Sequence, residues 1–143
     1  MNLKQLTLGI ITGASLASMV AIEVAKAADT IFMPGLVYRT GAYAPNGIPF
    51  ANGMKDYLTL INERDGGVNG VKIVHEECET GYNTKVGVEC YEKMKSKNPV
   101  TVIPNSTGIT YQLIPKTYAD KIPLLTMGYG RTSAAVGSVF PWV

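Results

Sequence analysis

The sequence predicts an α/β fold with a parallel sheet and flanking helices, and three observations carry that expectation. Four short, largely apolar runs, at residues 30–38, 71–77, 100–104 and 123–127, have the length and composition of buried strands. Between them, apolar residues recur three or four apart, the spacing of a helix with one buried face. Clusters of Gly, Pro and Asn separate the two kinds of segment. Strands alternating with helices at this interval imply βαβ units and a parallel sheet, each crossover of which should be right-handed.

The segment ahead of the first strand has a different character. Lys4 is followed by an apolar run over residues 6–22 and then by Ala25-Lys26-Ala27, small residues at the two positions that a signal peptidase reads. Residues 1–27 are therefore expected to be a signal peptide, cut after Ala27 or, as second choice, Ala28. A membrane anchor is the competing reading. The run is short for a bilayer, at roughly 17 residues, and Thr7, Gly9, Thr12, Gly13, Ser15 and Ser18 dilute it. No cysteine lies near the cut to carry a lipid. Residues 28–143 are then a domain working outside the cytoplasm.

The elements follow in order. The first strand, at 30–38, contains Pro34. Residues 39–49 read as a loop with Gly41, Pro45, Asn46, Gly47 and Pro49. Phe50, Met54, Tyr57, Leu58 and Ile61 form a helix face that ends at Asp65-Gly66-Gly67; Asn46 or Gly47 would open the helix, with Pro49 in its first turn. Asn69-Gly70 makes a turn into the second strand, where Val71, Ile73 and His75 share one face. Asn83 or Thr84 caps a second helix, whose inner face is Val86, Cys90, Tyr91 and Met94. Ser96 to Pro99 ends it. The third strand follows, and then a helical stretch through Ile109, Leu113, Tyr118 and Ile122 that is expected to bend or break at Pro115. The fourth strand leads into the loop at 128–133.

Charge excludes one class of partner. Net charge is only +2. Lys93, Lys95 and Lys97 are interleaved with Glu89 and Glu92, as on a solvated helix end rather than a nucleic-acid stripe. Enzyme signatures are missing too: there is no dinucleotide fingerprint, no phosphate-loop lysine and no Gly-x-Ser-x-Gly. His75, the only histidine, lies in a strand with no partners for a metal or a triad, so it reads as structural. Glu76, Glu77 and Glu79 read as solvated carboxylates at a strand end, with reach into the cleft by one of them as the other reading. Cys78 and Cys90 are candidates for a disulfide, which an exported location permits; two buried thiols are the other reading.

In a parallel sheet, ligands bind at the carboxyl ends of the strands. Those loops are 39–49, 78–83, 105–108 and 128–133. Asn105-Ser106-Thr107-Gly108 puts hydroxyls at a helix start, where free N–H groups suit a carboxylate or phosphate; a simple cap by Ser106 or Thr107 is the bland alternative. Gly128-Tyr129-Gly130-Arg131-Thr132-Ser133 repeats the pattern, with backbone access at the glycines, donors at Thr132 and Ser133, and Tyr129 as a wall. Tyr43 could cover an apolar ligand part. Arg39 would pair with an anion or face water.

These residues carry a resemblance. The leader, the apolar strand and Tyr38-Arg-Thr-Gly-Ala-Tyr-Ala-Pro-Asn-Gly47 are similar to the opening of the periplasmic substrate-binding proteins of branched-chain amino acid ABC transporters, the Leu/Ile/Val-binding type. Residues 60–70, Asn105 to Thr110, Met127 to Ser133 and Val139 to Val143 continue the resemblance in order and spacing. It implies a type I periplasmic-binding lobe, truncated before a second lobe across a hinge. It also implies ligand contacts at Tyr43, Ser106, Thr107, Tyr129, Gly130, Arg131 and Thr132. No catalysis, metal or cofactor is implied. The partners would be a small amino acid, carboxylate or amide and an inner-membrane ABC permease, with the protein a monomer in the periplasm. Gly128 to Arg131 is bulkier and more basic than in the Leu/Ile/Val binders, which leaves the ligand open. The last residues, 138–143, read as the start of an apolar element, as expected for the front of a longer protein. Two other classes compete. A sensory domain on the same fold would carry a membrane span or kinase downstream, and an exported α/β enzyme would need a nucleophile and base.

Overall fold

The structure, a computed structural model, describes residues 30–126 and the backbone of 139–141. The expected signal peptide at 1–27 and the loop at 128–133 lie outside the described residues. The elements are β1 (Thr30–Phe32), β2 (Gly35–Val37), α1 (Ala44–Asp65), β3 (Lys72–Val74), β4 (Glu77–Glu79), α2 (Thr84–Met94), a 3-10 turn (Lys95–Lys97), β5 (Ile103–Pro104), α3 (Thr107–Asp120), β6 (Leu124–Thr126) and β7 (Val139–Pro141).

Every strand pairing is parallel. The expected first strand is divided at Met33-Pro34, and its neighbour at His75-Glu76. One register nevertheless runs through both breaks: Thr30 faces Lys72, and Gly35 faces Glu77. Met33 N–H donates to Val74 at 2.9 Å and Gly35 N–H to Glu76 at 2.9 Å, so the ladder is held across the gap. The division comes from the other side. The carbonyls of Phe32, Pro34 and Leu36 point to β5 and accept from Val100, Ile103 and Asn105. Pro34 has no N–H to return, and the opposing chain takes one extra residue between Val100 and Ile103, as in a bulge. Val102 instead turns outward, accepting from Leu125 and donating to Pro123, which joins β5 to β6. The expected strand at 100–104 is thereby shortened to a two-residue element. The second strand runs past its expected end, to Glu79, because it follows β2; Cys78 therefore lies inside β4 and not in the loop.

Taking β1/β2 and β3/β4 each as one strand, the sheet order is second, first, third, fourth, fifth. The chain steps one way after the first strand and the other way after the second. Right-handed crossovers then place α1 on one face and α2 with α3 on the other. The packing agrees: α1 lies on β2 and β3, α2 and α3 pack together, and α3 covers β5 and β6.

The main core lies under α2 and α3, from Phe32, Leu36, Cys90, Tyr91, Met94, Val102, Ile109, Leu113, Ile122 and Leu124. Each fully buried large side chain there contributes about 1.5–3 kcal/mol of transfer free energy. Cys78 and Cys90 are joined by a disulfide with Cα atoms 5.9 Å apart, tying β4 to α2. On the other face Ala51, Leu58 and Ile73 are buried.

Helix boundaries show where local signals compete. α1 begins at Ala44, earlier than Asn46 or Gly47, and Pro49 is inside it. Pro45 supplies the first-turn proline instead. Gly47 serves a different purpose: a Cβ there would sit 1.9 Å from the Tyr38 carbonyl oxygen, so only glycine lets this turn lie on β2. Asn83 caps α2, accepting from Val86 N–H at 3.1 Å. A bend or break was expected at Pro115; there is no break, and α3 is continuous through it. Leu113 and Thr117 are buried on either side, and that packing outweighs the roughly 3 kcal/mol that an interior proline costs. Asn69 and Gly70 both have positive φ, 51° and 81°, between two reciprocal bonds joining Val68 and Val71. That is the conformation a two-residue I′ turn requires.

Candidate functional site

The first and third strands are neighbours, but the chain leaves them toward helices on opposite faces. Their carboxyl ends form the topological switch point, where open α/β sheets bind ligands. Three loops meet along this edge, from β2 into α1, from β4 into α2, and from β5 into α3.

At the end of β5, Asn105 N–H donates to Leu36 at 3.1 Å, which fixes the α3 entry beside β2. Ser106 is extended (φ −150°, ψ 131°) and caps the helix, its hydroxyl oxygen accepting from Ile109 N–H at 3.4 Å. The cap is thus Ser106 and not Thr107. The Ser106 carbonyl accepts from the Thr110 N–H (2.9 Å) and hydroxyl (2.8 Å), and the Thr110 hydroxyl meets that of Thr126 at 2.6 Å. Thr107 is half-buried at the first helical position. Asn105 is buried, and its Oδ1 has no hydrogen-bond partner among the described residues. The first turn of α3 therefore offers N–H groups and hydroxyls and no fixed charge, a set suited to a carboxylate.

The other two loops are bolted together. Of the two expectations for Arg39, pairing with an anion or facing water, the first holds, and the anion is a carboxylate of the chain itself. Its guanidinium grips Glu77 through Nε (2.6 Å) and a terminal nitrogen (2.7 Å), and donates to Asn52 at 2.8 Å. Hydrogen bonding from Arg39 outweighs burial and holds the Glu77 carboxyl below its usual range. Burial pushes the Glu79 carboxyl up, yet its net shift is downward, because it accepts from Arg39 N–H, Gly81 N–H and the Thr40 hydroxyl. Glu76 pairs with Lys97 at 2.7 Å. The reading of these glutamates as merely solvated is corrected: Arg39 is brought to Glu77 across 38 residues by β2–β4 pairing, which sequence spacing does not reveal.

Thr80 completes the clamp. Its hydroxyl and its N–H both donate to the Val37 carbonyl at 2.8 Å, and its oxygen accepts from Tyr82 N–H at 3.2 Å. Tyr82 then lies 4.5 Å, ring to ring, from Tyr43, and 4.8 Å edge-on from Tyr38. Tyr43 is 54% exposed. Tyr38, Thr80 and Tyr82 were not singled out by sequence; the one available signal was an aromatic residue inside a Gly-containing turn.

His75 lies inside the packed part of the sheet, and its Nε2 has no hydrogen-bond partner among the described residues. Its side chain is buried, with Nδ1 2.7 Å from the Met33 carbonyl oxygen. Gly35 leaves room for the ring, since a Cβ there would come within 2.9 Å of it. Among the described residues no cluster of His, Cys, Asp or Glu could hold a metal, and no helix is long and apolar enough to cross a membrane. Of the site residues expected from sequence, Tyr43, Ser106 and Thr107 lie on adjoining strand ends. Tyr129, Gly130, Arg131 and Thr132 lie outside the described residues.

Comparison with known proteins gives a consistent picture. Residues 30–143 match the periplasmic binding protein family. No curated protein matches the sequence. A structure described as an ABC transporter permease from the Pseudomonas fluorescens group is 44% identical, with a TM-score of 0.67 over 74% of this chain and 26% of its own. A fatty acid ABC transporter substrate-binding protein from Thermomonospora curvata is 23% identical, with a TM-score of 0.62 over 68% of this chain and 25% of its own. The branched-chain amino acid transporter substrate-binding protein LivJ of Streptococcus pneumoniae, in complex with isoleucine, is 17% identical; its TM-score is 0.68 over 75% of this chain and 32% of its own. The last two share the fold. The chain thus spans roughly a quarter to a third of the length of these structures. Its parallel sheet, its switch point and its match over residues 30–143 place this chain in the periplasmic binding protein family.

Proposed function

We propose that this chain is the first-lobe part of an extracytoplasmic solute-binding protein that serves an inner-membrane ABC permease. Its solute is a branched-chain or other hydrophobic amino acid, or a related small carboxylate or amide. The observation that carries the reading is the switch point: the uncharged, hydroxyl-bearing start of α3 stands on the strand next to the one that presents Tyr43. The first turn of α3 would take the carboxylate, with Ser106 and Thr107 as donors, and Tyr43 would face the apolar part. Residues 129–132 supply the second donor set in this proposal. The neighbours' descriptions, one protein in complex with isoleucine and another called a fatty acid transporter's substrate-binding protein, support a small carboxylate as the ligand class. The role is binding and delivery, with no chemical step, and specificity comes from a few placed donors in a mostly apolar cleft.

The test is a thermal-shift panel on the full-length mature protein, followed by calorimetry on each hit. The panel is leucine, isoleucine and valine, their amine-free carboxylates, benzoate and small aliphatic amides. A stabilised transition with one of these, saturable and stoichiometric, is the expected outcome. No shift with any member would overturn the proposal.

A further inference from the structure

The loop before α2 holds a residue in an unusual state. Tyr82 has φ +62°, in the left-handed region. A bulky non-glycine residue is rarely found there, and it persists only where the surroundings over-determine it. The surroundings do so here. Thr80 fastens the loop to the end of β2 through two bonds to Val37 and receives the Tyr82 N–H. Glu79 ties Gly81 to Arg39 and Thr40, so the two loops are cross-linked through one carboxylate. The product of this scaffolding is one contact: the Tyr82 ring lies against the half-exposed Tyr43, with Tyr38 edge-on behind it. A glycine or asparagine at 82 would make the same turn without strain, but neither would supply the ring.

We propose that Tyr82 is a positioning residue that sets solute specificity. It holds the Tyr43 ring as a rigid apolar wall, so that the site prefers a carboxylate or amide with an apolar side group over an equally sized polar one. This rests on the solute lying at the carboxyl edge, as proposed above. Tyr82 acts through Tyr43. An unsupported Tyr43, more than half exposed, would swing among rotamers and have to be ordered on binding. The stacked ring has already lost that freedom, which is the advantage of preorganisation.

The experiment uses the full-length mature protein with leucine and glutamine as probes, plus benzoate as an aromatic carboxylate. Calorimetry gives the affinity for each in the wild type, Tyr82→Gly, Tyr82→Phe, Tyr43→Ala and the double variant Tyr43→Ala/Tyr82→Gly. Tyr82→Gly relieves the strained φ, so its thermal midpoint should match or exceed that of the wild type. Its affinity for leucine or benzoate, whichever the wild type binds, should fall about tenfold, the worth of one well-placed aromatic pair. Preference over glutamine should shrink by the same factor. Tyr82→Phe should restore both, and Tyr43→Ala with Tyr82→Gly should be no weaker than Tyr43→Ala alone. Unchanged affinity and preference in Tyr82→Gly, beside a binding wild type, would overturn this inference and leave the proposed function standing. A wild type that binds none of the probes or of the wider panel would overturn both.

Discussion

The contact between α2 and α3 sets how closely two of the site's helix starts can approach, and one glycine governs it. A Cβ built on Gly87 would lie 2.6 Å from Cδ1, 2.6 Å from Cγ1 and 2.7 Å from Cγ2 of Ile109. Ile109 is fully buried and cannot swing away. Gly87→Ala has two opposing effects. Alanine in a helix interior gains about 1 kcal/mol over glycine. Overpacking a tight core costs about 1–3 kcal/mol, and three simultaneous short contacts put this case near 3. The expected net effect is a loss of about 2 kcal/mol. Ile109→Ala removes all three clashing atoms and by itself costs about 2–5 kcal/mol. In that background Gly87→Ala keeps its helical advantage and fills part of the void, so it should stabilise by about 1 kcal/mol. The sign therefore reverses, with a coupling of about 3 kcal/mol, at the upper end for residues in contact. Urea denaturation of the four proteins, at constant slope, measures the cycle. If Gly87→Ala stabilises the wild type, or if the two changes simply add, the helices do not meet as described.

Three further outcomes follow from the site and its support. Ser106→Ala should cost on the order of 1 kcal/mol of stability as a lost cap and weaken solute binding as well, whereas Thr107→Ala should leave stability nearly unchanged and weaken solute binding by about 1–3 kcal/mol; calorimetry and denaturation together separate the cap from the solute contact. The Glu77 carboxyl is held below its usual 4.5 by Arg39, so its ion pair adds stability that is complete above that value and vanishes as pH falls through the lower folded value. Glu77→Gln should thus be less stable by about 1 kcal/mol at neutral pH, given the partial exposure of the pair, and converge with the wild type in acid; a constant gap across an acid titration would contradict this. Non-reducing peptide mapping should recover Cys78 and Cys90 as one linked pair, and removing that short-loop bond should lower stability by about 2–3 kcal/mol; two free thiols would exclude it.

The sequence by itself determined what local chemistry decides. Asn83 before a helical run, Asn69-Gly70 between two apolar segments, and Gly66 after Arg64-Asp65 each satisfy backbone groups within a few residues, and each stands where the spacing placed it. Alternation of strand and helix was enough for a parallel α/β sheet, and with it for Ser106 and Tyr43 at the carboxyl edge. Tertiary structure decided whatever depends on a partner far along the chain. Pro34 divides a strand only because β5 lies on the side where its N–H is missing. Gly47 starts α1 early because Tyr38 is beneath it, and α3 survives Pro115 because the sheet rewards its buried face. Arg39 meets Glu77, and Tyr43 meets Tyr82, through the pairing of β2 with β4. Nothing within either loop encodes that distance, since it is set by the register of two strands some forty residues apart.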